Sequence, residues 1–384
     1  MAIFRLLKDF NPDDYCLITQ DFGEKSPVNN NYSCEKLPGK YYVLPAWLQI
    51  KRGWRFSAVR WANILMRGVQ IARILKREKC SAVVATTSDL FDMPAAYVAA
   101  KLTHVRFYPY MFDYYSHKVL GRTSTFAHRY EPIMLKGAAG IIVPNEFMRE
   151  EARSRYGVES TVIHNPCDLA AYESAPLDNP VISKDREIKI VYTGSIYEAH
   201  FSAFRNLVAS IKLLDQWNIK LHIYTDQLAS ELDEFGICGP VVLHPPQTTS
   251  AISEIQQKAD ILFLPLAFSS PYPDVVRTSA PGKIGEYLAA GRPVLVHAPP
   301  DTFLAWYFLQ HACGLVVDES DPAKLATAIE LLLTDSSLRD GLVARARARA
   351  RADFSITASQ DAFAELLELR QLHSTRELQP GVEG

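Results

Sequence analysis

Lys283 and Glu286 are the residues of this 384-residue chain whose types and spacing carry the clearest chemistry. They sit in Ser279-Ala280-Pro281-Gly282-Lys283-Ile284-Gly285-Glu286-Tyr287-Leu288-Ala289-Ala290-Gly291-Arg292-Pro293-Val294-Leu295-Val296, which reads as a Pro/Gly turn, a helix, a Gly stop and a buried strand. A helix start presents unpaired N–H groups and the positive end of the macrodipole, so the segment from Pro281 through Ile284 suits a diphosphate. Glu286, one turn along, can accept hydrogen bonds from a ribose diol. Together these features suit a phosphorylated sugar carrier, against the alternative of an ordinary amphipathic helix between two loops of an α/β domain.

The same segment resembles the donor-site signature "P-S-K-x-x-E-Y-x-A-x-G-x-P-V" of retaining nucleotide-sugar glycosyltransferases with the GT-B fold, family-four-like (glycosyl transferases group 1) and of bacterial polysaccharide type. Other stretches extend the resemblance over nearly the whole chain. Val162-Ile163-His164-Asn165-Pro166-Cys167-Asp168 looks like "I-x-N-G-V-D", with Pro166 where Gly is common; both residues belong in turns. Gly137 to Met148 is similar to "A-D-x-I-I-x-x-S-E-x-M", and Lys258 to Pro265 resembles "A-D-I-x-L-x-P".

This resemblance implies an α/β fold of two Rossmann-like domains facing a cleft. It implies transfer of a sugar from a nucleotide diphospho-sugar, UDP- or GDP-linked, to a lipid-linked or saccharide acceptor with retention of configuration. The donor's own diphosphate would receive the acceptor proton, with no metal and no separate cofactor. The donor-binding residues it implies are Gly194, Ser195, Tyr224, Arg277, Thr278, Pro281, Gly282, Lys283, Ile284 and Glu286. Two other readings stay open: a sugar-nucleotide 2-epimerase of the same fold, and a degenerate, non-catalytic donor-binding subunit.

The sequence departs from the family pattern in three places. The family carries an Arg after the glycine of the first C-domain strand and a Lys some five residues later. Here Ser195 follows Gly194, and the nearest downstream candidates are His200 and Arg205. Stabilising the diphosphate leaving group is the main electrostatic task, so it falls to Arg277, Lys283 and the helix start. Second, Glu286 keeps the latter of two family glutamates while Thr278 occupies the former, which leaves the transferred sugar open. Third, Met1 to Lys8 reads as the first helix, not as the strand and Gly-rich loop that open a Rossmann-like domain. Either the natural start lies upstream, or the first sheet lacks its first strand.

On the acceptor side, Phe107 to Lys118 follows a predicted strand and looks like a "D-x-x-P-E" loop, with Asp113 at the Asp. Asp113 and His117 are the candidates to orient or deprotonate an acceptor hydroxyl. A helix cap and a surface histidine are the equally weighted structural readings.

These residues must be positioned by a sheet, and the pattern supplies one in each half. Short apolar runs alternate with helical periods, as in parallel sheets with crossover helices. In the first half the predicted strands are Tyr15–Thr19, Ala82–Thr86, Val105–Tyr110, Gly140–Val143 and Ser160–Ile163, with a helix from Asp92 to about Leu102. In the second half they are Lys189–Gly194, Lys220–Tyr224, Val241–Leu243, Asp260–Leu264 and Pro293–His297. The organisation expected is a domain over 1–165, a linker over 166–186, a donor domain over 187–352, a helix over 353–370 packing back on the first domain, and a disordered tail over 371–384.

Composition narrows the partners. The net charge of −2 gives no whole-surface attraction to nucleic acid. Six cysteines without a C-x-x-C pair suggest reduced thiols of a cytoplasmic protein rather than a zinc site. Neither a signal peptide nor an apolar run long enough to span a bilayer is read. Residues 36–87 hold eleven Lys or Arg against the single Glu78, interleaved with Trp47, Trp54, Phe56 and Trp61. That mixture suits peripheral contact of 47–79 with anionic lipid on the inner face of the plasma membrane, against the plainer reading of a helix with a core stripe and a solvated basic face. Arg345, Arg347, Arg349 and Arg351, at two-residue spacing, wrap around a helix and read as solvated.

Overall fold

The computed structural model of the chain describes residues 2–20, 36–44, 56–87, 91–114, 116, 122–173 and 182–369, the side chains of 20, 56–60 and 122–126 excepted. It divides into two units, Met1–His164 with Thr357–Gly384, and Asn165–Ile356.

The first unit begins with α1 (Ala2–Leu7) and a 3-10 turn at Pro12–Asp14, capped by Asn11, whose side chain accepts from Asp13 N–H at 3.2 Å. There follow β1 (Cys16–Gln20), β2 (Lys40–Leu44), α2 (Phe56–Arg77), β3 (Ala82–Thr86), α3 (Asp92–Thr103), β4 (Arg106–Tyr110), α4 (Arg122–Lys136), β5 (Ile142–Val143), α5 (Glu146–Tyr156) and β6 (Thr161–Val162). Helix ends follow local chemistry. Asn145 caps α5 by accepting Met148 N–H at 2.8 Å, and Gly157 ends it in the left-handed region at φ 63°. Strands β3-β4-β5-β6 form one parallel sheet in that order, and β1 and β2 pair in parallel as a separate two-stranded sheet. The sequence pattern gives no sign of β2. A half-buried strand is recognised by its apolar residues facing inward, and here Tyr41 and Val43 are 42% and 50% exposed.

The second unit carries α6 (Ala170–Glu173), β7 (Ile188–Thr193), α7 (Phe201–Leu213), β8 (Ile219–Tyr224), α8 (Ala229–Glu234), β9 (Val241–His244), α9 (Thr249–Gln257) and β10 (Ile261–Pro265). It continues with α10 (Pro273–Thr278), α11 (Ile284–Ala289), β11 (Val294–His297), α12 (Phe303–His311), β12 (Leu315–Val317), α13 (Pro322–Thr334) and α14 (Ser336–Asp353). Its sheet is ordered β12-β11-β10-β7-β8-β9, all parallel. From the β9 edge that is third, second, first, fourth, fifth, sixth, the doubly wound Rossmann order. Strand order reverses between β7 and β10, so the crevice that binds ligands in such sheets lies beyond the carboxyl ends of these two strands. Its core includes Ile190, Tyr192, Phe204, Leu207, Leu221 and Phe263, all fully buried. Strand β12, only three residues long, is the one the sequence pattern misses in this half.

A last helix, α15 (Ile356–Leu366), returns to the first unit. Phe363 meets Phe10 edge-on, with ring centroids 6.2 Å apart. The Gln360 amide donates to Arg5 O and Leu6 O at 3.3 and 3.2 Å, satisfying carbonyls that the end of α1 leaves unpaired.

Candidate functional site

At the reversal point, β7 ends in Thr193 and the chain turns through Gly194 at φ +123°, a conformation L side chains rarely adopt. A Cβ at Gly194 would stand 3.2 Å from the Nζ of Lys283, so glycine leaves room for that ammonium. Lys283 Nζ donates to Tyr192 Oη at 2.8 Å and lies 4.0 Å from the centre of the same ring. Tyr192 Oη donates onward to Ser195 O at 2.9 Å. Although Lys283 as a residue is only half-buried, its ammonium end is enclosed. That burial lowers its pKa to about 7, with Glu286 pulling the other way. Burial raises the Tyr192 phenol well above its ordinary value, so it keeps its proton.

The turn before α11 is open. Gly282 is exposed, and no atom lies within 4 Å of where its Cβ would be. Ile284 N–H closes the turn on Pro281 O at 3.0 Å and the Ile284 side chain is core, which leaves the exposed Gly282 as the open backbone of this turn. Helix α11 has six residues and begins one residue after Lys283, shorter than the sequence suggests. So short a helix sums few peptide dipoles, and the charge at this turn is that of Lys283.

Behind α11, Gly285 is required by packing: a Cβ there would lie 2.9 Å from both Cys167 Cβ and Phe354 Cβ. Cys167 N–H donates to Phe354 O at 2.7 Å, and the Asn165 amide donates to Ala280 O at 3.2 Å. The Asn165–Cys167 segment is thus the backing of the Lys283 turn.

Gln256, which sequence reasoning missed, organises the far side. It is fully buried in the last turn of α9, accepts from Tyr172 Oη at 2.6 Å, and donates to Thr193 Oγ1 at 3.1 Å. Its amide also faces Glu286 Oε2 at 3.5 Å, a weak contact. A polar residue on a stripe that helical periodicity assigns to the core is the signal that marks it.

The remaining predicted residues are placed as follows. Gly194 N–H donates to Tyr224 O at 2.8 Å, and the half-buried Tyr224 ring stacks on His244 at 4.3 Å. Ser195 Oγ donates to Asp226 at 3.1 Å, tying the β7 loop to the β8 loop. Thr278 is buried, its hydroxyl donating to Asp274 O at 3.0 Å within α10, and Arg277 is half-buried beside it. Neither stand-in for the family's cation pair supplies charge beside Lys283. His200 is buried with Nδ1 unpartnered, and burial with the Lys283 charge pushes its pKa down to about 3, so it is neutral. Arg205 is exposed and donates to Phe235 O at 3.3 Å. The arginines of α14 are less solvated than their spacing suggests, because Arg345 donates to Ala312 O at 2.6 Å and Arg349 pairs with Asp353.

In the first unit Asp113 follows β4, half-buried, its N–H 3.4 Å from Thr87 Oγ1. His117 lies outside the described residues, as do Trp47 and Trp54, and the Phe56 side chain is likewise undescribed. On α2, Ile64, Ile71 and Leu75 are core, whereas Leu65, Met66 and Val69 are 52%, 41% and 40% exposed. Arg73, Lys76 and Arg77 continue that exposed stripe. Trp61 packs edge-on against Tyr130 at 4.7 Å. Among the described residues no helix is long and apolar enough to cross a membrane.

Two parallel α/β units, the second with a strand-order reversal, match the architecture of GT-B structures. Residues 27–171 match the family model Glycosyltransferase Family 4, and residues 187–335 match Glycosyl transferases group 1. With a domain of that kind in each unit, the chain is a GT-B glycosyltransferase. Similar solved structures agree on the fold. A glycosyltransferase from Rickettsia africae is 14% identical, with 92% of this chain and 98% of that one covered and a TM-score of 0.64. Anabaena HepE in complex with UDP and glucose is 16% identical over 96% and 95%, TM-score 0.67. Sucrose-phosphate synthase from Thermosynechococcus elongatus is 16% identical over 95% and 92%, TM-score 0.65. No curated protein matches the sequence.

Proposed function

We propose that this chain transfers a sugar from a nucleotide diphospho-sugar to a lipid-linked or saccharide acceptor, with retention of anomeric configuration. The observation that carries the reading is the convergence of Lys283 Nζ on Gly194 at the reversal point, beside the open Pro281–Gly282 turn. The ammonium and the Gly282 backbone N–H hold the diphosphate, and Glu286 accepts the ribose hydroxyls. As the glycosidic bond to the diphosphate breaks, charge grows on the phosphate oxygens. A cation held there is worth more in the transition state than in the ground state. The diphosphate oxygen then takes the acceptor proton, and Asp113 orients the acceptor hydroxyl. HepE, similar in fold, is a structure with UDP and glucose, which makes UDP-sugars the first donors to test. The acceptor is brought in at a surface where α2 meets anionic lipid, a polysaccharide-building role consistent with its exposed Leu65, Met66 and Val69 and flanking cations.

The test is a transfer assay of the full chain with UDP- and GDP-sugars and lipid-linked or free saccharide acceptors, reading product linkage by NMR. A product of retained configuration, lost in Lys283→Met, supports the reading; inverted product sinks the retention claim. A second reading, donor binding without turnover, is favoured by Ser195 being bonded to Asp226 and by the neutral His200. Donor affinity with no product from any acceptor establishes it instead.

A further inference from the structure

The opposite end of the second sheet carries a cavity of its own. It lies at the amino ends of β10 and β11, has a volume of about 730 Å³, and is walled by Asp260, the loop over 291–293, the end of α13 and one face of α14. Ser336, Arg339, Val343 and Arg347 recur there at three- and four-residue spacing, the period of a single helix face. At about 3.3 Å per residue, the five residues of β10 put this cavity roughly 16 Å from the crevice at the carboxyl ends. Its size suits a small molecule.

Charge around the cavity is predominantly positive. Asp260 is already paired, its carboxylate accepting from Arg186 at 2.6 and 3.0 Å and from Lys189 N–H at 2.8 Å. The buried Arg292 donates to Gln257 O at 2.5 Å, and Arg339 donates to Leu332 O and Leu333 O at 2.8 and 3.1 Å. Those acceptors are carbonyls, which fix the guanidinium groups without cancelling their charge. Arg347, half-buried and two turns beyond Arg339, has no hydrogen bond or ion pair among the described residues. Burial and the neighbouring Arg351 lower its pKa, with Glu173 pulling the other way, a cost that a bound anion would relieve. The exposed Asp340 is the opposing acid on this face.

We propose that this cavity binds a phosphate ester of a small molecule, with the phosphate on Arg347 and the remainder running along α14 toward Arg339 and Arg292. A guanidinium fork matches the oxygens of a phosphate. Arg339 and Arg347 are eight residues apart, about 12 Å along the helix, so an ester can reach from one to the other and a bare phosphate cannot. The site is independent of the donor crevice.

The test titrates the full chain with glucose 6-phosphate by calorimetry, with inorganic phosphate as the comparison. Glucose 6-phosphate should bind at one site, several times more tightly than inorganic phosphate, and more weakly as salt is raised. Arg347→Gln should weaken it roughly tenfold, Arg347→Lys should recover part of that loss, and Lys283→Met should bind it as the native chain does. Because Arg347 makes no hydrogen bond within the described fold, Arg347→Gln should melt within about 2 °C of the native chain, so the affinities compare folded proteins. Absence of binding, equal binding of phosphate and ester, unchanged affinity in Arg347→Gln, or an equally large loss in Lys283→Met overturns the proposal. Uridine diphosphate is titrated separately into the same variants, and its failure to bind would bear on the donor reading alone.

Discussion

The ammonium of Lys283 and the phenol of Tyr192, ninety-one positions apart, are joined by a 2.8 Å hydrogen bond, with the ammonium also 4.0 Å from the ring centre. The pair places the candidate cation of the donor site on a phenol, with the Glu286 carboxylate near enough to favour its charged form.

Because burial lowers the Lys283 pKa from its ordinary 10.5 to about 7, its charge is sensitive to pH. Between those values the unfolded chain holds a proton that the folded ligand-free chain lacks, so this residue adds stability as pH rises from about 7 to 10.5. A diphosphate reverses the local preference and restores the proton. Nucleoside diphosphate binding should therefore weaken up to about tenfold per pH unit above 7. Calorimetry at pH 8.5 in two buffers of different ionisation heat should show uptake of close to one proton, and Lys283→Met none. Equal heats for the native chain would contradict the assignment.

Glu286 and Asp113 are separable. Removing a charged hydrogen-bond acceptor costs about 1.5–3 kcal/mol, or roughly ten- to a hundredfold in affinity. Glu286→Ala should lose that much nucleotide-sugar affinity by titration, while Asp113→Ala keeps the affinity and slows transfer. Equal donor affinities in the two variants would refute the role of Glu286.

Gly285 is held by space rather than by backbone conformation. Gly285→Ala should force Cys167 and Phe354 apart and destabilise the second unit by about 1–3 kcal/mol in urea unfolding. A neutral result would show that the Asn165–Cys167 segment gives way without cost.

Gln256 should act on both stability and donor affinity. Gln256→Ala removes the carbonyl that accepts from the Tyr172 hydroxyl and the amide that donates to Thr193, at about 1–3 kcal/mol. Weakened nucleotide-sugar binding should accompany that loss, because Thr193 and Glu286 both face its amide. Unchanged donor affinity in a folded variant would limit Gln256 to a structural role.

Much of this arrangement is legible in sequence because strand grammar is local. The runs at Lys189–Gly194 and Asp260–Leu264 mark β7 and β10, and the Pro-Gly-Lys turn marks the segment that follows them in space. What escapes is tertiary. Tyr192 reads as one more core aromatic, since nothing local shows that its hydroxyl meets Lys283. Neutrality of His200 comes from burial that only the folded unit creates. β2 is hidden because Tyr41 and Val43 face out and only Leu44 is core, and its anchor Glu78, which accepts from Lys40 and Tyr42, reads as a mere exception in a basic stretch.

The central claim is that a diphosphate lies against Lys283 at the reversal point of the second sheet. A crystal structure of the chain with a nucleoside diphosphate tests it most directly. The expected result puts phosphate oxygens about 3 Å from Lys283 Nζ and the Gly282 backbone, with the ribose on Glu286. Phosphates bound at any other edge of either sheet, with Lys283 still on Tyr192 alone, would contradict the account.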